Sequence, residues 1–396
     1  MRTVTIVGAS LSGLYAAREL RAQGYDGRLV IVGDEPHHPY DRPPLSKDFL
    51  TGRADETQLA LTDTEETTEL GAEWILGVRA RALDARGRTV LLDGGRTVST
   101  DGVVIATGAS ARRLPGDTLP GVHTLRTLDD ARALREELTR GPCRVVVIGG
   151  GFIGAETASS CSSLGHSVTV VEAAPLPLVP QLGAEMAAVC AALHQRGGVD
   201  LVTGTGVTGL RGATTVTGVD LTDGRTLPAD IVIVGIGATP NTAWLVGSAL
   251  PLHDGVLCDD GCATALPQVV AVGDVACVGG TRAEHWTSAT QQPRSAVTNL
   301  LAGRTVETAT ALPYFWSDQY GARIQFAGRR TDGDTVRVTE GELSDGAPAE
   351  GGFLARYERD GRTTAVLAVD RPRPFMRARR ELARDAGEER ARSAAR

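Results

Sequence analysis

The stretch Pro39-Tyr40-Asp41-Arg42-Pro43-Pro44-Leu45-Ser46-Lys47-Asp48 contains the only lysine in a chain of 396 residues. Apart from seven histidines, every other basic side chain is arginine. An arginine-favouring composition is one account of this. The sharper account is that position 47 needs an ammonium, a compact point charge, where guanidinium is a wide planar fork. Pro43 and Pro44 hold φ near about −65° and bias Arg42 and Pro43 towards extended conformations. The sequence therefore predicts a stiff, extended arm that ends in one placed charge.

Two glycine-rich loops supply the chemistry for that charge to serve. The first, Gly8-Ala9-Ser10-Leu11-Ser12-Gly13, follows a strand predicted at 4–7 and opens a helix over 13–23. Gly8 suits a tight turn, and a small residue at Ser10 lets backbone approach a pyrophosphate. Gly13 allows close helix–strand packing, and the helix N-terminus attracts phosphate. A strand at 29–32 ends in Gly33-Asp34-Glu35, so Asp34 or Glu35 stands where a carboxylate binds a ribose hydroxyl. Serine at the middle position is a tolerable departure from the glycine pattern. The β-branched run at 103–105 predicts a returning strand whose end, Ala106-Thr107-Gly108, lies close to the bound dinucleotide.

The second loop, Gly149-Gly150-Gly151-Phe152-Ile153-Gly154, is a full G-x-G-x-x-G between a strand at 144–148 and a helix over 155–164. The next strand, 168–171, ends in Glu172. Two such units predict two dinucleotides on one chain. A carboxylate at 172 accepts hydrogen bonds from both ribose hydroxyls and repels a 2′-phosphate. With no Arg or Lys in 173–185, the second ligand reads as NADH over NADPH. A strand at 230–234 then runs into Gly235-Ile236-Gly237. Another, at 268–272, ends in Gly273-Asp274, which precedes an apparent helix. Asp274 suits either the ribityl or phosphate end of a flavin or the cap of that helix.

The elements around these motifs read as short strands at 73–76, 79–84 and 89–92, a helix over 127–140, and a helix from the Glu284-His285-Trp286 segment to about 301. Residues 311–370 change character, to strands separated by Asp-Gly turns. Four of the chain's aromatic residues fall within 314–320. The last 26 residues carry nine Arg against four acids, either a solvated tail or a surface for an acidic protein. The net charge of −7 argues against bulk nucleic-acid binding. No basic-then-apolar leader and no membrane-length apolar run is present, so the sequence reads as a cytoplasmic protein with no membrane partner. The six cysteines, Cys143, Cys161, Cys190, Cys258, Cys262 and Cys277, lack C-x-x-C and zinc-ligand spacing, and no metal site is expected.

Together these residues resemble the FAD-dependent ferredoxin reductases of bacterial oxygenase systems, the putidaredoxin reductase and biphenyl dioxygenase reductase group. The most specific element is Asp41-Arg42-Pro43-Pro44-Leu45-Ser46-Lys47. Gly149-Gly150-Gly151-Phe152-Ile153-Gly154-Ala155-Glu156, Gly273-Asp274, Glu284-His285-Trp286 and Phe315-Trp316-Ser317-Asp318-Gln319 support it. The resemblance implies an α/β, glutathione-reductase-like fold with two Rossmann-like dinucleotide-binding domains and a C-terminal α+β domain. The implied division is an FAD domain at 1–110 and 242–310, an NAD domain at 111–241, and a C-terminal domain at 311–396.

The resemblance also implies site roles. Asp34, Arg42, Lys47, Arg126, Asp274 and Trp286 would contact FAD, with Val78, His285 and Trp316 also candidates for cofactor contact. Gly151, Ile153, Glu156, Glu172, Gly237 and Glu284 would line the NADH site. Lys47 and Glu156 would meet beside the flavin, the ammonium stabilising charge on it and the carboxylate holding the ammonium. The implied activity is electron transfer from NADH through FAD to an iron–sulfur ferredoxin of [2Fe–2S] or [3Fe–4S] type, which serves a cytochrome P450 or Rieske oxygenase. Rubredoxin and monodehydroascorbate reductases share the cysteine-free layout. Disulfide- and peroxide-reducing relatives need a cysteine facing the flavin, and none precedes residue 143. A flavoprotein acting mainly by partner binding, like the apoptosis-inducing factor, usually carries C-terminal insertions that this chain lacks.

Overall fold

The computed structural model describes residues 1–115, 117–309, 312–344 and 346–394, with side chains described up to residue 388. The chain forms two compact units. One comprises residues 1–41, 56–110 and 238–313, the other 42–55, 111–237 and 314–396.

The first unit is built on a five-stranded parallel sheet in the order Val269–Ala271, Gly102–Ile105, Thr3–Val7, Arg28–Val32, Ala72–Ile75. Period-two alternation gives each strand two buried faces. Val4, Ile6, Leu29 and Ile31 pack with Leu14, Leu20 and Leu300 of the helices Leu11–Ala22 and Trp286–Ala302. Val7, Val30, Val32 and Ile105 pack the other way, with Leu83, Val90 and Val98 of a three-stranded antiparallel meander over Ala80–Asp84, Thr89–Leu92 and Thr97–Ser99.

The second unit repeats the plan. Its parallel sheet runs Asp200–Thr203, Ser167–Glu172, Arg144–Ile148, Ile231–Val234, Val122–Thr124. Val145, Val147 and Val170 face helices Leu128–Leu138 and Phe152–Ser163, while Val146, Ile148 and Val234 face a second meander over residues 207–228. Residues 314–369 form an antiparallel sheet in the order Tyr314–Gln319, Ala322–Gly328, Arg362–Val369, Ala347–Arg359, Thr335–Ser344. Its Ile324, Phe326, Tyr357 and Leu367 pack on Met186, Val189 and Leu193 of the helix Val179–Arg196. The Arg-rich tail is helical over Pro372–Ala394. The tail reading also covers 395–396 and the side chains from 389 on, which lie outside the described residues.

Two local expectations need correction. The arm is not extended: Arg42 is in the αR region (φ −82°, ψ −34°) and Pro43–Ser46 form a 3-10 turn. Proline fits the first positions of such a turn because its missing N–H is not needed there. Leu45 N–H donates to Arg42 O at 2.9 Å, and Lys47 N–H to Pro44 O at 3.0 Å. Burial of Leu45, Phe49 and Leu50 outweighs the pre-proline bias at Arg42. The arm 42–55 lies in the second compact unit, where Leu50 joins the core of Leu134, Leu138 and Val145. Asp274 does not directly precede a helix. Gly273–Val275 is a single 3-10 turn leading into the strand Ala276–Val278, and the helix Trp286–Ala302 follows only after it.

Candidate functional site

In the first unit the sheet ends in a cradle. Gly8 sits at φ +123°, and a Cβ there would lie 2.0 Å from Ala106 O. A Cβ on Gly13 would lie 1.8 Å from Gly8 O, so strand end and helix meet backbone to backbone. Ser10 enters the helix extended, with no capping bond from its hydroxyl, which leaves the first-turn N–H groups for an anionic ligand. Gly273 (φ +73°) closes the side: a Cβ there would lie 2.2 Å from Ser12 Oγ, and its N–H donates to Gln292 Oε1 at 2.7 Å. Leu11 begins the helix Leu11–Ala22 beside Ser12 and Gly13.

Each of the other first-unit candidates is held by contacts of its own. Asp34 is exposed and lies 3.3 Å from Arg79, while Glu35 accepts the Tyr40 hydroxyl proton. Val78 N–H donates to Gly33 O at 2.9 Å. Thr107 Oγ1 donates to Asn241 O at 2.9 Å and Thr107 O accepts from Asn241 Nδ2 at 2.8 Å, with Gly108 turning at φ +62°. Arg282 bridges Glu284 and Asp254 and donates to the carbonyl of Asp274 at 3.4 Å. His285 is the extended residue that starts the helix Trp286–Ala302. Trp286 Nε1–H donates to Asp41 Oδ1 at 2.9 Å. Asp41 was not among the predicted site residues, although it stands in the same Asp-Arg-Pro-Pro motif.

The second unit repeats the glycine geometry. Gly149 (φ +104°) would place a Cβ 2.3 Å from Gly235 O, and Gly154 would place one 2.0 Å from Gly149 O. Gly151 has nothing within 4 Å of such a Cβ and opens onto a cleft of about 470 Å³. Phe152, Glu172, Gly235, Ile236 and Gly237 also line it. Glu172 accepts from Gly150 N–H and Ala174 N–H, both at 2.8 Å, so it braces the loop it was expected to accompany. Ile153 is half exposed at the helix start. Trp316 stacks on Tyr314 with ring centroids 5.7 Å apart. Arg42 Nη1–H donates to Arg126 O at 2.6 Å.

Lys47 and Glu156 come together in this unit. Lys47 Nζ lies 2.7 Å from Glu156 Oε2, with the two side chains 16% and 3% exposed. Ser46 Oγ donates to the same oxygen at 2.6 Å. Glu156 Oε1 accepts from Ser317 Oγ at 2.8 Å and from Asp318 N–H at 3.3 Å. Four donors thus surround one buried carboxylate on the helix Phe152–Ser163, the satisfaction a buried charge requires. Sequence reasoning placed Ser46 and Ser317 inside the right motifs without giving them a role.

All six cysteines are free thiols. Burial pushes Cys161, Cys190 and Cys258 up to about 12 and raises Cys262 further. Burial, with Asp230 and Glu137 nearby, raises Cys143, and burial likewise raises Cys277. None is tuned towards a thiolate nucleophile. Among the described residues there is no group of three metal-ligating side chains, and no helix is long and apolar enough to cross a membrane.

Two glycine-loop sheets and a single lysine clamped to a carboxylate define an oxidoreductase of the two-dinucleotide class. The chain belongs to the pyridine nucleotide-disulphide oxidoreductase family, whose model matches residues 2–293, and a reductase C-terminal domain matches residues 314–396. It is 38% identical, over 95% of this chain and 91% of the relative, to the benzene 1,2-dioxygenase system ferredoxin–NAD(+) reductase subunit of Pseudomonas putida. The reductase in a covalent putidaredoxin reductase–putidaredoxin complex superposes with a TM-score of 0.89 at 32% identity, covering 96% of this chain and 93% of that one. The ferredoxin reductase for the CYP199A2 system from Rhodopseudomonas palustris gives 0.87 at 34% identity, covering 93% and 91%.

Proposed function

We propose that the protein is an NADH-dependent ferredoxin reductase, with FAD and NADH as its cofactors and an iron–sulfur ferredoxin of a P450 or Rieske oxygenase system as its partner. The single observation that carries this reading is the buried Lys47–Glu156 pair, formed between the motif most specific to that group and one of the motifs that support it. Relatives of this kind match over almost the whole chain. The first-unit cradle fits FAD: added side chains at Gly8, Gly13 and Gly273 would collide with the strand and helix that shape it.

The chemistry that FAD would supply when bound is acceptance of a hydride from NADH and release of electrons one at a time. The chain's own part is placement. Gly8, Ser10, Gly13 and Asp274 would hold the FAD, with Asp34 or Glu35 at its ribose, and the resemblance adds Arg42, Arg126 and Trp286 as further contacts. Gly149, Gly151 and Glu172 hold NADH at the cleft. Lys47 presents one ammonium to developing negative charge, and Glu156 fixes that ammonium in place. The domain roles follow: FAD with 1–110 and 242–310, NADH with 111–241, and the remainder as C-terminal domain. A cytoplasmic location is part of the same proposal.

The test is cytochrome c reduction by the FAD-loaded protein with NADH or NADPH, through a panel of [2Fe–2S], [3Fe–4S] and rubredoxin carriers. Efficient turnover with NADH and an iron–sulfur ferredoxin is expected. Activity confined to rubredoxin, or slow NADH oxidation with every carrier, would sink the assignment.

A further inference from the structure

We infer that Ser317, oriented by Gln319, is a positioning residue for the Lys47–Glu156 pair, so that the strand Tyr314–Gln319 completes what the arm and the helix Phe152–Ser163 begin. The inference rests on reading Lys47 and Glu156 as the hydride-transfer pair.

The carboxylate of Glu156 is divided between two sides. Oε2 takes Ser46 Oγ–H and the Lys47 ammonium. Oε1 takes Ser317 Oγ–H and Asp318 N–H. Any partial rotation about Cγ–Cδ weakens the bonds on both sides together, so the strand's donors decide where Oε2 holds Lys47. Ser317 is 0% exposed, and Glu156 is the acceptor for its proton.

Gln319 fixes that proton's direction. Its Nε2–H donates to Ser317 Oγ at 3.0 Å, which occupies a serine lone pair and leaves the hydroxyl proton for Glu156. The reversed amide would set an oxygen against a hydroxyl whose proton Glu156 already takes. The arrangement leaves Gln319 Oε1 buried with no hydrogen-bond partner among the described residues. Burial disfavours such an orphan, and an apolar side chain would avoid it. The contact that offsets this is the one the amide's other end makes with Ser317. The framework around it is pinned as well. Tyr320 N–H donates to Ser159 Oγ at 2.7 Å and Ser160 Oγ–H to Ser46 O at 2.6 Å, so strand and arm attach to adjacent residues of one helix.

The chain's single lysine makes this directly measurable. Acylation of the FAD-loaded protein by acetic anhydride, followed by peptide mass spectrometry, reports Lys47 alone, because the N-terminal amine lies on a separate peptide. Ser317→Ala is expected to raise the Lys47 acylation rate about five-fold, as loss of one buried hydrogen bond implies. Glu156→Gln should raise it at least as much, and Ser317→Ala in the Glu156→Gln background should add nothing further. An unchanged rate in Ser317→Ala, or additive effects in the double variant, would overturn the inference, because general loosening does not act through Glu156. Should Ser317→Ala fail to fold, Gln319→Leu decides the matter. It keeps the hydroxyl but frees its rotor, and a rate equal to wild type counts against the inference. The measurement uses neither NADH nor a ferredoxin, so its failure is separate from failure of the carrier panel.

Discussion

Lys47 and Glu156 lie 109 positions apart and meet at 2.7 Å, the ammonium held by a carboxylate that also takes both a serine from the arm and a serine from the C-terminal strand. Replacing Lys47 therefore removes one of four donors to Glu156. The cost to folding is smaller than the 3–5 kcal/mol typical of orphaning one member of a buried pair.

Lys47→Met is expected to fold and retain FAD, but to slow flavin reduction by NADH about 10²-fold, the scale of losing a preorganised charge-stabilising donor. Lys47→Arg should not restore the rate, because a planar fork does not reproduce one compact charge. Stopped-flow flavin bleaching measures both, and wild-type rates in Lys47→Met would remove Lys47 from the mechanism.

The glycines of the second loop separate packing from binding. Gly154→Ala would place a methyl 2.0 Å from Gly149 O and should leave little soluble protein. Gly151→Ala meets nothing within 4 Å and has φ −67°, so it should melt within a few degrees of wild type. A side chain there stands where the pyrophosphate approaches, so the KM for NADH should rise about ten-fold or more. Thermal melts with steady-state kinetics on the pair test this.

Glu172→Gln should narrow the preference for NADH over NADPH, by about ten-fold in the ratio of kcat/KM, as the charge that repels a 2′-phosphate is lost. The amide oxygen can still accept from Gly150 N–H or Ala174 N–H, so the loop keeps part of its brace. Glu172→Ala loses both contacts and should weaken both nucleotides. A wild-type enzyme that prefers NADPH would refute this role for Glu172.

Acid stability should show the buried histidine. His194 is 2% exposed, its Nδ1 is 2.7 Å from the Tyr320 hydroxyl, and burial lowers its pKa from 6.5 to about 4. The folded state thus binds the proton less readily than the unfolded state. This group's contribution is complete above about pH 6.5 and is lost as pH falls towards 4, a change on the order of 3 kcal/mol. Denaturant melts across that window should show the slope. His194→Gln should flatten it, and an equally steep slope in the variant would exclude His194 as its source.

The local physics was legible in the sequence. Gly8, Gly13, Gly149 and Gly154 mark backbone crossings that no side chain permits, so both loops and the strands that lead into them could be read from glycine spacing and short β-branched runs. The composition itself singled out Lys47. Pairing it with Glu156 came from resemblance, since no local rule links residues so distant. Tertiary structure decided what propensity could not. It folded the pre-proline arm into a 3-10 turn because burying Leu45, Phe49 and Leu50 outweighs a local backbone bias. It turned Glu172 back onto its own loop. It also brought Ser317 to Glu156 from 161 positions away, a contact set by how the C-terminal strand packs on the fingerprint helix. Such contacts depend on which faces are buried against each other, and that is a property of the whole fold.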